Sequence, residues 1–334
     1  MTAKVAINGF GRIGRGFLKA ALKSKEFEVV AANDLTDERT NAHLLKYDTV
    51  MGRFDGTVEY EKGSITVNGK EIKILAERDP AKLPWKEMGI DIVMECTGFF
   101  RKREDAEKHL TAGAKKVVIS APGSGEMFTV VLGVNDADYD TSKHHVISNA
   151  SCTTNCLAPL VKVLDQNFGL ETGLMTTIHA VTNDQRMLDM WHKDLRRARA
   201  GAWNMIPTTT GAAKAIGLVY PKMVGRLNGM AIRIPLMDVS LVDLVAEVEK
   251  EVTVDVVNEA FKKASEKGDM APYLGYVDEP LVSSDFINDT DSCSFDSLAT
   301  MTQGKMVKVL GWYDNESGYA HRLADLAALI AKKL

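Results

Sequence analysis

Several things are scarce in this chain of 334 residues, and each scarcity removes a class of function. There are four cysteines, Cys96, Cys152, Cys156 and Cys293, too few and too scattered for a disulfide scaffold, so a reducing compartment suits them. Cations show no excess: 41 Lys and Arg against 45 Asp and Glu give a formal net charge of -4, which offers no basic field to a polyanion. Nucleic-acid binding is therefore not expected. No window approaches the roughly 18 apolar residues of a membrane span. The opening residues also lack the apolar core and small-residue cleavage site of a secretory signal, so a cytoplasmic protein is expected. Internal repeats, low-complexity tracts and flexible linkers are absent as well.

What is present is the composition of a globular protein, 45% hydrophobic and 26% charged, at a length that suggests two domains. "KVAINGFGRIG" reads as a short apolar strand, a glycine turn and a helix to about Lys23; "FEVVAAND" supplies a second apolar strand ending in Asp34. Continuous apolar runs of this kind suit a buried parallel sheet. "ITVNGKEIKI" alternates around Asn68-Gly69 and predicts a hairpin inserted on that scaffold. The wound pattern resumes with "IDIVMECTG", a helix from Arg103 to Ala112, "KKVVISAP" and "HHVISNAS". Beyond residue 150, longer alternating segments outnumber crossover helices, which predicts a mostly antiparallel sheet. The expected fold is α/β: a Rossmann-type doubly wound domain over 1–150, rejoined by a C-terminal helix over 316–334, and an α+β catalytic domain over 151–315.

Gly9, Gly11 and Gly14 have G-x-G-x-x-G spacing straight after a strand and at the opening of a helix. The first allows the tight turn, the second the approach of a pyrophosphate, the third close packing of helix on strand. Phosphates would sit on the amides around Arg12 and Ile13, at the positive end of the helix dipole. Asp34 lies 20 residues past Gly14, where a carboxylate binds an adenosine ribose and repels a 2′-phosphate. Dinucleotide binding follows, with NAD ahead of NADP.

In "ISNASCTTNCLAPL", Cys152 and Cys156 lack the further ligands zinc needs and are not spaced C-x-x-C. Ser151 can cap the following helix, leaving the Cys152 thiol at a first turn, where the dipole favours a thiolate; Cys156 reads as a packed thiol. Pro159 should kink that helix. A thiol nucleophile needs a base or cation. His179 ends a strand-like run, yet the residues alone leave it open between a base and a satisfied structural histidine. Lys193, Arg196, Arg197 and Arg199 form a basic stretch that is either solvated or anion-binding, and Thr208 to Thr210 with Gly211 precede a helix in an arrangement suited to an oxyanion. Arg233, alone among apolar neighbours, should pair with a buried anion.

The whole chain resembles the glyceraldehyde-3-phosphate dehydrogenase family, through "INGFGRIGR", "ISNASCTTNCLAPL", "TTIHAVTNDQ", "HKDLRRARA", "IPTTTGAAKA", "LNGMAIRIP" and "GWYDNESGY". The resemblance implies phosphorylating oxidation of glyceraldehyde 3-phosphate with reduction of NAD and consumption of inorganic phosphate, through a thioester on Cys152 with His179 as base. It implies that Thr182, Arg197 and Arg233 hold the substrate phosphate, and that Ser151, Thr153, Thr210 and Gly211 bind the attacking phosphate or the substrate. Toward the cofactor it implies Arg12 and Ile13 at the pyrophosphate, Asp34 at the ribose, Arg78 at the adenine end, and Ser120 and Asn315 at the nicotinamide half. It also implies a homotetramer and no metal. Three departures stand out: Trp191 replaces a proline common in NAD-using members, Trp203 and Asn204 stand where a Glu-Ser pair or similar is common, and Asp238 replaces a common asparagine. Two other readings are an erythrose-4-phosphate dehydrogenase, which would hydrolyse its intermediate, and a binding or adhesion protein that keeps the fold.

Overall fold

The computed structural model describes residues 2–334, which form two compact units: one comprises the chain up to Val130 with Asp138–Ala150 and Ala320–Leu334, the other Val131–Ala137 with Ser151–Tyr319. The short segment Val131–Ala137 lies with the second unit because Lys162 Nζ donates to the carbonyls of Gly133, at 2.8 Å, and Val134, at 3.2 Å.

The first unit is built on a nine-stranded sheet in the spatial order Phe128–Thr129, Val146–Ser148, Lys116–Ile119, Ile92–Glu95, Ala3–Asn8, Phe27–Asn33, Lys70–Leu75, Ser64–Val67, Val58–Glu61. All pairings are parallel except among the last three strands, an antiparallel meander in which Asn68 and Gly69, turning from Ser64–Val67 into Lys70–Leu75, adopt φ of 51° and 78°, as the Asn-Gly dipeptide predicts. The strands flanking Ala3–Asn8 are the second and the later Ile92–Glu95, so the winding reverses there, the kind of switch point at whose carboxyl ends open α/β sheets bind ligands. Val5, Ile7, Val93 and Met94 are fully buried, which explains why their segments read as unbroken apolar runs. The helix Arg12–Ala21 follows the glycine turn, and Ser317–Lys332 ends the chain, its tail tied to this unit by Lys333 Nζ on the Tyr139 carbonyl at 3.2 Å.

The second unit carries a seven-stranded sheet in the order Ile206–Thr209, Leu227–Arg233, Leu170–His179, Ser240–Val248, Met306–Tyr313, Cys293–Gln303, Leu274–Val277, mostly antiparallel as expected. The helix Cys152–Phe168 packs on one face with Cys156, Leu157, Leu160 and Leu164 buried; it continues past Pro159 as a single helix. Phe261, from the helix Val254–Glu266, stacks on Phe295 at 3.9 Å. Three strands of this sheet escape sequence patterning for local reasons: Ile206–Thr209 contains Pro207 and lies at the edge, Leu274–Val277 is a four-residue edge strand, and Cys293–Gln303 breaks register between Asp296 and Met301.

Candidate active site

Cys152 opens its helix because Ser151 caps it. Ser151 has extended backbone, and its Oγ accepts the Thr154 amide at 3.0 Å. The preceding Ala150, fully buried, holds φ of 54°, a left-handed conformation that costs a residue with a Cβ about 1–2 kcal/mol and turns the chain from strand into helix. His179 closes the strand Leu170–His179, and the parallel register pairs it with Arg233 at the end of Leu227–Arg233. Three side chains from distant segments therefore converge: Cys152 Sγ lies 3.5 Å from His179 Nε2, and Arg233 Nη1 lies 2.7 Å from His179 Nδ1.

His179 Nδ1 is also 2.7 Å from the Ala180 carbonyl, which Arg233 Nη1 donates to at 3.1 Å. Nδ1 thus has a donor, Arg233 Nη1, and an acceptor, the Ala180 carbonyl, both at 2.7 Å; in the tautomer that donates to the carbonyl, the Nε2 lone pair faces the thiol, as a base requires. Burial, helped by the positive charges of Arg233 and Arg197, lowers the imidazole to about 3. Burial pushes the Cys152 thiol up, against Arg233 and the Thr153 amide and hydroxyl, which pull it down. Burial outweighs the helix N-terminus, and Arg233 is the largest force favouring a thiolate. Among the described residues no carboxylate lies within ion-pair distance of Arg233, and its Nε has no hydrogen-bond partner. The buried protein anion expected beside this arginine is not found; its neighbours are the thiol, the imidazole and a carbonyl.

Arg197 sits in a second group. It donates to Thr208 Oγ1 at 2.9 Å and to the Thr209 carbonyl at 3.0 Å, and it pairs with Asp184 and, at 3.7 Å, Asp194. Thr182 is turned onto Gln185, whose Oε1 accepts its amide at 2.7 Å and its hydroxyl at 3.1 Å. Thr210 Oγ1 accepts the Ala212 amide at 3.2 Å, and Gly211 begins the helix Ala212–Val219 with no side-chain cap and no acidic residue in the first turn. First-turn amides without a cap suit an oxyanion.

In the first unit, a Cβ on Gly9 would fall 2.7 Å from the Thr97 amide nitrogen, and one on Gly14 2.1 Å from the Gly9 carbonyl oxygen, so neither position admits a side chain. Gly11 faces open space, with nothing within 4 Å of a Cβ built there. Asp34 Oδ2 accepts the Phe10 amide at 2.7 Å, which fixes the glycine turn against the carboxylate at the end of the neighbouring strand. Arg12, at the helix start beside Ile13, is bonded to Asp48 at 3.2 Å. Arg78 is exposed in the segment after Lys70–Leu75, and Ser120 follows Lys116–Ile119, its amide on the Glu95 carbonyl at 3.0 Å. Asn315 belongs to the second unit, where its Oδ1 accepts Ser240 Oγ at 2.7 Å.

A family model described as "Glyceraldehyde 3-phosphate dehydrogenase, NAD binding domain" matches residues 3–103, and one described as "Glyceraldehyde 3-phosphate dehydrogenase, C-terminal domain" matches residues 151–315. The chain is similar to curated proteins named glyceraldehyde-3-phosphate dehydrogenase. It is 62% identical to that of Geobacillus stearothermophilus over 334 residues, covering all of this chain and 99% of the relative. To that of Streptomyces coelicolor it is 58% identical over 336 aligned positions, covering all of both chains. It belongs to the glyceraldehyde-3-phosphate dehydrogenase family.

Glyceraldehyde-3-phosphate dehydrogenases of this family are NAD-dependent oxidoreductases, and the glycine turn, helix start and Asp34 fit the dinucleotide. The structure also points to residues that sequence reasoning gave no role. Tyr313 is the main one: buried, its hydroxyl lies 2.9 Å from Thr153 Oγ1 and 2.8 Å from Thr177 Oγ1, and its ring meets His179 edge-on at 5.9 Å. It joins the helix bearing Cys152 to the strand bearing His179. It lies inside "GWYDNESGY", but nothing in the spacing of that segment signals a contact 160 residues away. Among the described residues no cluster of metal-ligating side chains occurs.

Proposed function

We propose that this chain catalyses the phosphorylating oxidation of glyceraldehyde 3-phosphate to 1,3-bisphosphoglycerate, a glycolytic step, and that Cys152 and His179 carry the chemistry. The observation that supports this most directly is the half-buried Arg233, beside the thiol and imidazole and without a carboxylate partner: a cation in that position awaits an anionic substrate and favours the thiolate meanwhile. Cys152 adds to the aldehyde carbon, forming a C–S bond as the carbonyl π pair moves onto oxygen, and the thiol proton goes to His179 Nε2, which then faces that oxygen as a donor. NAD, when bound, accepts the hydride that leaves this carbon. The remaining thioester is attacked by inorganic phosphate, and the C–S bond breaks to return the thiolate. Storing the oxidation as an acyl–sulfur bond is what makes the acyl phosphate accessible.

Arg233, Arg197 and Thr182 are assigned to the substrate phosphate, and Ser151, Thr153, Thr210 and Gly211 to the attacking phosphate or the substrate. Arg197 and Thr182 must exchange the contacts to Asp184 and Gln185 for the ligand. Arg12, Ile13 and the three glycines are assigned to the pyrophosphate, Asp34 to the ribose, Arg78 to the adenine end, and Ser120 and Asn315 to the nicotinamide half. The assembly we infer is a homotetramer. Met187, Trp191, Leu195 and Trp203 in one loop, and Leu174 and Met301 on the outer sheet face, are each at least 60% exposed, apolar area that a second copy would cover. A cytoplasmic location is inferred from the family; no helix among the described residues is long and apolar enough to cross a membrane.

Steady-state kinetics with glyceraldehyde 3-phosphate, NAD and varied phosphate, on wild type and Cys152→Ser, test the reading. The expected result is NADH formation that requires phosphate and is nearly abolished in the variant. NADH formation indifferent to phosphate would move the assignment to a hydrolytic relative, and full activity in the variant would remove Cys152 as nucleophile.

A further inference from the structure

Asp238 precedes the strand Ser240–Val248, is 6% exposed, and neither of its carboxyl oxygens accepts a well-formed hydrogen bond from a donor of the chain. The charges that face it are those of Asp314 and Glu316, both carboxylates; only the amide of the adjoining Val239 acts in the opposite sense. Asp314, 1% exposed and within hydrogen-bonding range of Asp238, is also pushed up by burial, but its backbone partners and the Asp238 side chain pull it back down. Its Oδ1 accepts the amides of Glu316 at 2.9 Å and Ser317 at 2.7 Å, and its Oδ2 accepts that of Asn288 at 2.8 Å. Three amides hold a negative charge on Asp314, and two adjoining buried carboxylates cannot both be ionised. The proton therefore resides on Asp238. At the position where the family commonly has asparagine, a protonated aspartate supplies the same kind of donor, but one that can be lost.

The neighbouring contacts give that donor a role. Val239, a β-branched residue, is held at φ of 65°, and Ser240 then accepts the Ala180 amide at 3.1 Å and donates to Asn315 Oδ1 at 2.7 Å. Ser240 also pairs with Tyr313 across the sheet, so the Asp238–Asp314 contact closes the sheet end from which His179, Tyr313 and Asn315 emerge. We propose that Asp238 is a positioning residue that works only while protonated: its O–H, donated to Asp314, holds the strained Val239–Ser240 turn against Asn315 and so sets the grip on the nicotinamide half of the cofactor. The second half of this inference rests on the assignment of Asn315 given above.

Burial and the charge of Asp314 raise the Asp238 carboxyl to about 8, so the donor is lost just above neutrality. With a folded value above the ordinary carboxyl value of about 4, the folded chain holds an extra proton; stability falls as pH rises between these values and levels off beyond the upper one. The test compares wild type with Asp238→Asn, which donates without titrating. Thermal unfolding between pH 5 and pH 9.5, and NAD affinity by calorimetry between pH 7 and pH 9.5, are measured on both. The advantage of the variant in unfolding temperature should grow up to about pH 8 and then hold constant. Wild-type NAD affinity should weaken by about fivefold or more over its range while that of the variant changes less than about twofold, a difference of roughly 1 kcal/mol. Asp314→Asn, which removes the facing charge, should likewise abolish the wild-type slope. A pH-independent difference in unfolding temperature overturns the shared proton. A sloping difference with parallel NAD affinities leaves the proton and overturns its link to the cofactor. Unchanged NAD affinity in Asn315→Ala at pH 7 defeats the assignment of Asn315, and with it that link, without bearing on the unfolding comparison.

Discussion

Replacing Tyr313 by Phe removes one oxygen and keeps the ring, so it isolates the contact that joins the nucleophile's helix to the base's strand. The hydroxyl lies between Thr153 Oγ1 at 2.9 Å and Thr177 Oγ1 at 2.8 Å, in a place where both threonines are buried. Each lost bond is worth about 0.5–1.5 kcal/mol, and each hydroxyl left without its partner adds a desolvation cost of the same order, so about 2–4 kcal/mol is expected. With a urea dependence of about 2–3 kcal/mol per M, the unfolding midpoint should fall by roughly 1 M. The ring's edge-on contact with His179 survives the change, so the alkylation rate of Cys152 should move little. Combining the substitution with Thr177→Val should recover about 1 kcal/mol relative to additivity, because one orphaned hydroxyl is then gone. A midpoint within experimental error of wild type, or strict additivity, would refute the claim that this hydroxyl bridges the two elements.

Three further outcomes are expected. Arg233→Met removes the main charge favouring the Cys152 thiolate, so alkylation by a neutral reagent at pH 7 should slow by about tenfold for each pH unit the thiol rises; an unchanged rate would show that the thiolate is held by other means. His179 is held at about 3 in the folded chain and near 6.5 when unfolded, so the unfolded state binds the proton first and stability falls as pH drops through this window. His179→Asn should flatten that acid slope by an amount on the order of a few kcal/mol, and a slope equal to wild type would contradict the buried neutral imidazole. Asp34→Gly removes the carboxylate that would face a 2′-phosphate, and the ratio of kcat/KM for NADP to that for NAD should rise about tenfold or more; a fixed ratio would place the discrimination elsewhere.

The legible parts of this protein are those whose signal is local. Gly9, Gly11 and Gly14 are read from spacing because the turn, the approach and the packing all involve neighbours in sequence, Gly14 against Gly9 itself. Ser151 announces the helix start because its partner, Thr154, is three residues on. Asn68-Gly69 announces its hairpin for the same reason. The edge strand with Pro207 and the strand with a register break near Asp296 were opaque, since both violate the period-two alternation through which strands are recognised.

His179 marks the limit most clearly. The residues alone left it balanced between base and structural histidine, because what distinguishes the two is a distance to Cys152 spanning 27 positions and a parallel register that sets Arg233 beside it. By itself the sequence determined the α/β class, the dinucleotide turn and the presence of a thiol at a helix start, all consequences of short-range sterics and periodicity. Only the tertiary structure decided that Arg233 faces the thiol and imidazole without a protein counter-anion, that Tyr313 bridges their two elements, and that Asp238 lies against Asp314. Those facts depend on which strands pair and how deeply their ends are buried. A charge or a hydroxyl acquires its meaning from the desolvated groups it meets, and those come from segments far away along the chain.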